Sequence, residues 1–460
     1  MIFTSFTYLY FLVIVLVLYW VIRNKFYQNV LIFVTSYIFY GWVHPWFLTL
    51  IAASTVLDYY SARFMKKYPD KKKWFLYMSL AGNLGMLCFF KYFNFFAENI
   101  QSVFALMGFQ LSPFTLKIFL PVGLSFYTFQ TLSYTINVYR GTLEPRKNFI
   151  DIAAFVSFFP VLVAGPIERA SNLLPQFEKE RKFALSFINI AIPLLLRGYL
   201  KKLVIADNVS IFVDKVYMLQ NPSTFLLIAA TLAFAVQIYT DFSAYTDIAR
   251  GSAILFGFRL MENFKSPYSA ISPSDFWRRW HISFSTWIRD YLYIPLGGSK
   301  VKTTLGFFLV CVATMGISGL WHGASWHFVI WGIYHGLLVF AYHKLGMGGK
   351  WQPKGVIKRF IAWFIMFTFT IFGWMLFRTP NMEWLFEALK PQPYQIEMSV
   401  AAFQIIALTA FFSFPLFLIK LMDKYAPKNQ YVHAIVYGFI FTLILIFFQD
   451  AGQDFIYFQF

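Results

Sequence analysis

The chain has 460 residues, 59% of them hydrophobic and only 13% charged, with a mean hydropathy of +0.58, which excludes an ordinary soluble domain. Its formal net charge of +18 does not mark a nucleic-acid binder, because the basic residues lie in short clusters between apolar runs rather than on one hydrophilic face. Cys88 and Cys311, the two cysteines, both sit in apolar stretches, so the sequence offers neither a disulfide framework nor a thiolate metal site.

Crossing the hydrocarbon core as a helix takes about 20 apolar residues. The first such run, 3–22, has no basic segment before it and no small-residue cleavage pattern before Arg23, so it reads as a retained span. Further runs follow at 29–43, 46–64, 74–96, 116–139, 149–166, 185–205, 224–248, 303–320, 325–345, 357–377, 400–420 and 433–449. Pro121, Pro160 and Pro166 interrupt theirs. Irregular backbone at membrane depth survives only against protein or a water-filled cavity, so some of these segments are expected to be re-entrant. The pattern predicts an all-α polytopic membrane protein, one domain over 1–460, with about 11 to 13 membrane-entering helices. Arg23 and Lys25 follow the first run, the break at His44-Pro45 has no basic residue, and 63–73 carries six, which places the N-terminus outside.

Residues 272–302 differ, mixing Trp and Tyr with Arg278, Arg279, Arg289 and Asp290, and are too charged to span. With Ser274 as an N-cap and Pro295 and Gly297-Gly298 as a stop, they predict an amphipathic interfacial helix. Its arginines suit anionic lipid headgroups or the phosphates of a cytosolic acyl donor, and composition does not choose between them.

An ionisable group inside an apolar run costs about 2.5–3.5 kcal/mol to insert and therefore defaults to a functional candidate. The candidates are Asp241, Asp247, His281, His322, His327 and His335. His322 falls in a break between apolar runs, beside Trp321 and just after Gly316 and Gly319. A neutral imidazole there can serve as general base toward a hydroxyl, the proton transfer that acyl transfer to an alcohol needs; a structural histidine bonded between helices is the alternative. His327 and His335 are two helical turns apart and read as packing. Asp241 and Asp247 are six apart, imply no paired-carboxylate site, and read as partners of buried polar groups or helix N-termini. Neither a zinc-hydrolase HExxH, nor a GxSxG elbow, nor a phosphate loop occurs.

The segments 158–177, 239–251, 256–268, 275–298 and 320–336 (FFPVLVAGPIERASNLLPQF, YTDFSAYTDIARG, FGFRLMENFKSPY, DFWRRWHISFSTWIRDYLYIPLGG and LWHGASWHFVIWGIYHG) together resemble the membrane-bound O-acyltransferase (MBOAT) family, in its branch of alginate O-acetyltransferase membrane subunits. Ala244 and Thr246 stand where that branch more often has Gly and Ser. The resemblance implies a ring of tilted helices around a thin centre where funnels from the two faces meet near a family histidine, matching His322. The family's second histidine matches His281, toward the cytoplasmic end of the tunnel. The implied chemistry is O-acetylation of a cell-surface polysaccharide, alginate-like or peptidoglycan, from acetyl-CoA as the donor, with no permanently bound cofactor. The donor would dock at Arg278, Arg279 and His281, with Trp321 and Asp241 also at the substrate, and an extracytoplasmic SGNH-type acetyltransferase would complete delivery. The C-terminal Phe455–Phe460 resembles the Tyr-containing aromatic ends of related acyl-transfer systems, so Tyr457 is a candidate acyl carrier, with an interfacial anchor as the alternative. A D-alanyl or lipid-acylating relative, a transporter and a non-catalytic scaffold are the competing readings.

Overall fold

The computed structural model describes every residue except Val43, Pro113, Gln392, Tyr394, Lys428, Ala451, Gly452, Asp454 and Tyr457 to Phe460. Helices α1 (Phe6–Val21), α2 (Lys25–Gly41) and α3 (Phe47–Lys67) open the chain. Polar side chains start the first two: Ser5 accepts the N–H of Tyr8, and Asn24 that of Phe26. Helix α4 (Lys72–Leu87) passes through a π-helical turn, Cys88–Tyr92, into α5 (Phe93–Leu106). The described residues between 107 and 123 are not helical, so the apolar run at 116–139 yields only α6 (Leu124–Tyr139). Pro121 and the left-handed Gly123 (φ 80°) set that boundary; a Cβ on Gly123 would lie 2.4 Å from the carbonyl oxygen of Leu162.

The run at 149–166 breaks into α7 (Phe149–Ser157) and α8 (Phe159–Leu162), the latter with Pro160 in its first turn, and the chain returns through α9 (Ala170–Glu178). Helix α10 (Leu185–Tyr199) runs through a second π segment, Leu200–Ala206, into α11 (Asp207–Tyr217). The long α12 (Thr224–Leu255) packs against α10, α11, α17 and α19 and is buried over most of its length. Residues 272–302 form two short helices, α13 (Pro273–Trp277) and α14 (Ile282–Ile288), followed by a π turn, Arg289–Tyr293, in place of one amphipathic helix. The cap is Ser272, not Ser274: Ser272 Oγ accepts the N–H of Asp275, because Pro273 takes the first helical position. The segment turns inward, burying Phe276, Trp280, His281 and Phe284.

The antiparallel hairpin α15 (Thr304–His322) and α16 (Trp326–Lys344) is closed by glycines: a Cβ on Gly319 would sit 2.1 Å from the Phe328 carbonyl oxygen, and one on Gly332 2.2 Å from that of Met315. Helices α17 (Val356–Arg378), α18 (Met382–Ala388), α19 (Ile396–Tyr425) and α20 (Gln430–Phe447) complete the fold. Among the described residues five helices, α12, α15, α17, α19 and α20, are each long and apolar enough to cross a membrane. Apolar side chains such as Val356, Phe360, Ile435 and Leu445 stay exposed on the outside of the bundle, as lipid contact requires.

Loop contacts sort the ends of the helices. Lys25 bonds the carbonyl of Glu178, Arg146 pairs with Glu178, Arg140 bonds the carbonyl of Asp290, Arg278 that of Gly349, and Lys344 bonds Thr304. These contacts gather the Lys/Arg-rich loops at one end. The other end joins Asn99 to Trp326, Asp214 to Arg378, Leu219 to Trp384 and Asp450 to Phe6. The positive-inside rule makes the Lys/Arg-rich end the one expected on the cytoplasmic side.

Candidate active site

His322 is the last residue of α15, where the helix must stop because Gly323 is extended (φ −163°). The final carbonyls of such a helix have no partner within it. Here the π turn in front of α5 supplies them: Tyr92 OH donates to the Leu320 carbonyl at 3.0 Å, and Lys91 Nζ to those of Trp321 and His322 at 2.5 and 3.1 Å. With its backbone held, the His322 ring sits 3% exposed inside an aromatic cage, its centroid 5.0 Å from Trp321, 5.1 Å from Trp331, 5.4 Å from Phe377 and 5.6 Å from Phe284.

His281 shares that cage. It adopts a left-handed backbone (φ 43°), rare outside glycine, and is fully buried. Its Nδ1 lies 3.0 Å from Asn263 Oδ1, an oxygen that also accepts from the N–H and hydroxyl of Ser283. An acceptor there assigns the proton to Nδ1, and Nε2 is buried without a hydrogen-bond partner among the described residues. The ring packs on Phe242 at 4.6 Å and on Phe284 at 5.0 Å, and Phe284 also touches His322. The two histidines therefore lie one aromatic ring apart.

Two cavities approach this cage from different sides. One of about 390 Å³ is lined by Arg278, Phe284, Ser285, Arg289, Cys311 and Ser318, between α14 and the α15–α16 hairpin. The other, about 110 Å³, is lined by Lys91, Pro121, Gly123, Phe126, Trp321 and His322. Between them stand Phe284 and Trp321, stacked with centroids 4.4 Å apart. Trp321 also stacks on Phe129 at 5.6 Å, which in turn lies flat on Trp287 at 4.0 Å.

The other sequence candidates separate. Arg278 lines the larger cavity, whereas Arg279 turns away to Asp275 (3.0 Å) and the 265–269 loop. Arg289, from the same segment, lines the cavity with Arg278. His335 packs between Trp277 and Trp331, and His327 bonds Ser325, both structural placements. Asp241 is buried in the middle of α12, paired with Lys202 at 2.8 Å, and its Oδ2 accepts the backbone N–H of Ile456 at 2.7 Å. Asp247 pairs with Lys201 at 2.5 Å. Tyr457 lies outside the described residues, whereas Phe455 and Ile456 are buried. Sequence reasoning missed Lys91, Lys202 and Asn263; for the two lysines the signal was present, since a cation inside an apolar run carries the same insertion cost as the aspartates that were singled out.

One cavity thus reaches His322 and the other reaches Phe284, the ring packed on it. The sequence model of the MBOAT, membrane-bound O-acyltransferase family, matches residues 142–379, and the chain belongs to that family. It is similar to a probable alginate O-acetylase AlgI of Pseudomonas putida, 40% identical over 390 residues that cover 83% of this chain and 78% of the relative. A protein of the same description from Pseudomonas syringae pv. tomato is 41% identical over 393 residues, 83% of this chain and 73% of the relative. A peptidoglycan O-acetyltransferase of Helicobacter pylori is 34% identical over 398 residues, 80% and 74% of the two chains. The protein is thus a multi-pass membrane O-acyltransferase.

Proposed function

We propose that this chain, acting as one unit over 1–460 in a bacterial inner membrane, carries an acetyl group from cytosolic acetyl-CoA to the outer face for O-acetylation of a surface polysaccharide. Its relatives act on alginate or peptidoglycan by name. The observation that carries the reading is the convergence of the two cavities on the Phe284–Trp321–His322 cluster. A ring of about 11 to 13 membrane-entering helices around a through-tunnel is the architecture it implies.

The donor thioester enters beside Arg278 and Arg289, whose guanidiniums suit its phosphates. His322 removes the proton of an attacking hydroxyl; the hydroxyl oxygen bonds to the acetyl carbon, the C–S bond breaks, and the thiolate of the donor takes a proton. His281, with its proton on Nδ1, keeps Nε2 as an acceptor that suits the O–H of the attacking hydroxyl. The acceptor hydroxyl is that of Tyr457, and an extracytoplasmic SGNH-type transferase then moves the acetyl group onto the polymer. Supporting this, Phe455 touches Phe242 at 5.7 Å, and Phe242 touches His281, so the residues just before Tyr457 reach the cage.

The test is surface-polymer acetylation, by ester release, in cells with membrane levels matched. Loss in both His322→Ala and Tyr457→Phe is expected. Loss in His322→Ala alone removes the carrier and keeps the enzyme; loss in neither returns the chain to a scaffold or transporter.

A further inference from the structure

Away from the histidines, α12 faces the seam between α10 and α11, and this seam is charged. The π segment Leu200–Ala206 sits there, an insertion that re-aims side chains, and carries Lys202 into the interior at 1% exposure. Lys202 Nζ pairs with Asp207 and with Asp241 Oδ1, each at 2.8 Å, and lies over the Tyr245 ring at 5.6 Å. Two carboxylates on one ammonium leave acceptor capacity over, and burying it without donors is costly. A main-chain donor fills it: Ile456 N–H bonds Asp241 Oδ2 at 2.7 Å, while the Phe455 ring packs on Tyr245 at 4.3 Å and on Phe242 at 5.7 Å.

Two described residues mark where this segment starts and where it is buried. Asp450 accepts the N–H of Phe6 at the start of α1, on the end opposite the Lys/Arg-rich loops. Phe455, five residues later in sequence, is fully buried. The segment thus starts, at Asp450, from the end of the bundle opposite the Lys/Arg-rich loops, the side to which an acyl carrier must return.

We propose that Asp241, held by Lys202, is the docking group for the chain's own C-terminal segment, binding the main-chain N–H of Ile456 and so setting the register of the tail immediately before Tyr457. The proposal rests on the tail-carrier reading above and adds the positioning residues. Because recognition is through a backbone N–H and a neighbouring aromatic ring, the site selects an aromatic peptide end rather than the donor, and Asp241 is a positioning residue rather than part of the donor site.

The test reads the tail directly. In full-length protein carrying Cys88→Ser and Cys311→Ala, Ile456→Cys is labelled from outside the cell with a membrane-impermeant maleimide. The substituted residue keeps its backbone N–H, so the parent should label slowly. Asp241→Ala should raise the labelling rate about tenfold or more, the effect of losing a hydrogen bond to a charged acceptor. Asp241→Asn, which keeps an acceptor oxygen but not the ion pair, should raise it less. It carries the test if the alanine variant fails to accumulate. Unchanged labelling in an Asp241 variant that inserts normally overturns the proposal. Tyr457→Phe separates this from the carrier reading: if that variant retains acetylation the carrier falls, while the labelling rates judge the docking group independently.

Discussion

Replacing Lys91 by Met tests whether the end of α15, and not only the His322 ring, is part of the machinery. The substitution keeps an unbranched apolar stem of similar length and removes the two hydrogen bonds from Nζ to the carbonyls of Trp321 and His322. Tyr92 still holds the Leu320 carbonyl, so α15 stays docked while its final turn loosens. Orphaning buried carbonyls costs roughly 1–3 kcal/mol. If that energy is what fixes the imidazole against the reacting atoms, it appears as a rate loss of roughly 5- to 150-fold. The assay is acetyl-ester release from the surface polymer at matched membrane levels, with thermal unfolding of the detergent-solubilised protein in parallel. Lys91→Arg, which keeps a donor, should recover part of the activity. Full activity in Lys91→Met would refute the reasoning, because it would show that the helix end needs no tether to place His322.

Two further outcomes follow from the same geometry. Ser318→Trp should fill part of the cavity of about 390 Å³ that Ser318 and Phe284 line and cut acetyl transfer from labelled acetyl-CoA in inverted membrane vesicles by about tenfold or more; Ser399→Trp, beside a cavity at Phe403 and Ser223, should not. Burial pushes the Asp290 carboxyl up, but hydrogen bonds from Arg289 and Arg169 outweigh it and hold the group below its ordinary 3.8. A depressed carboxylate stabilises the fold above its ordinary value and loses that contribution as pH falls through the folded value. The thermal midpoint of the wild type should therefore drop more steeply below pH 3.8 than that of Asp290→Asn, as measured by fluorimetry across the acid range.

Hydropathy made the long helices legible: the runs at 303–320 and 357–377 correspond to Thr304–His322 and Val356–Arg378. It failed where a helix begins or bends without a change in polarity. Hydropathy takes 116–139 as one run, yet the chain from 116 to Gly123 is non-helical, because Pro121 and a left-handed glycine act on backbone dihedrals that hydropathy does not sense. The π segments at Cys88–Tyr92 and Leu200–Ala206 are equally invisible, and each carries the lysine that the reading passed over. His281 was singled out, but its proximity to His322 depends on the inward fold of α13 and α14, which the charge of Arg278 and Arg279 disguised as a surface helix.

That coincidence of π turns and buried lysines has a physical logic. A lysine on a regular helix inside a bilayer protein has few stable fates: to snorkel to the surface, or to find acceptors on a neighbouring element. A π turn shifts the following side chains around the axis without ending the helix, so it can swing a lysine from the packing face of its own helix onto acceptors on the next. Lys91 is turned onto helix-end carbonyls and Lys202 onto carboxylates. One thereby braces the residue proposed to move the proton, the other the residue that binds the tail. Both braces act on elements that approach the cage, α15 and the C-terminal segment. Restoring regular helix at either turn, by deleting one residue from 88–92 or 200–206, should therefore damage acetylation more than the loss of the corresponding lysine alone.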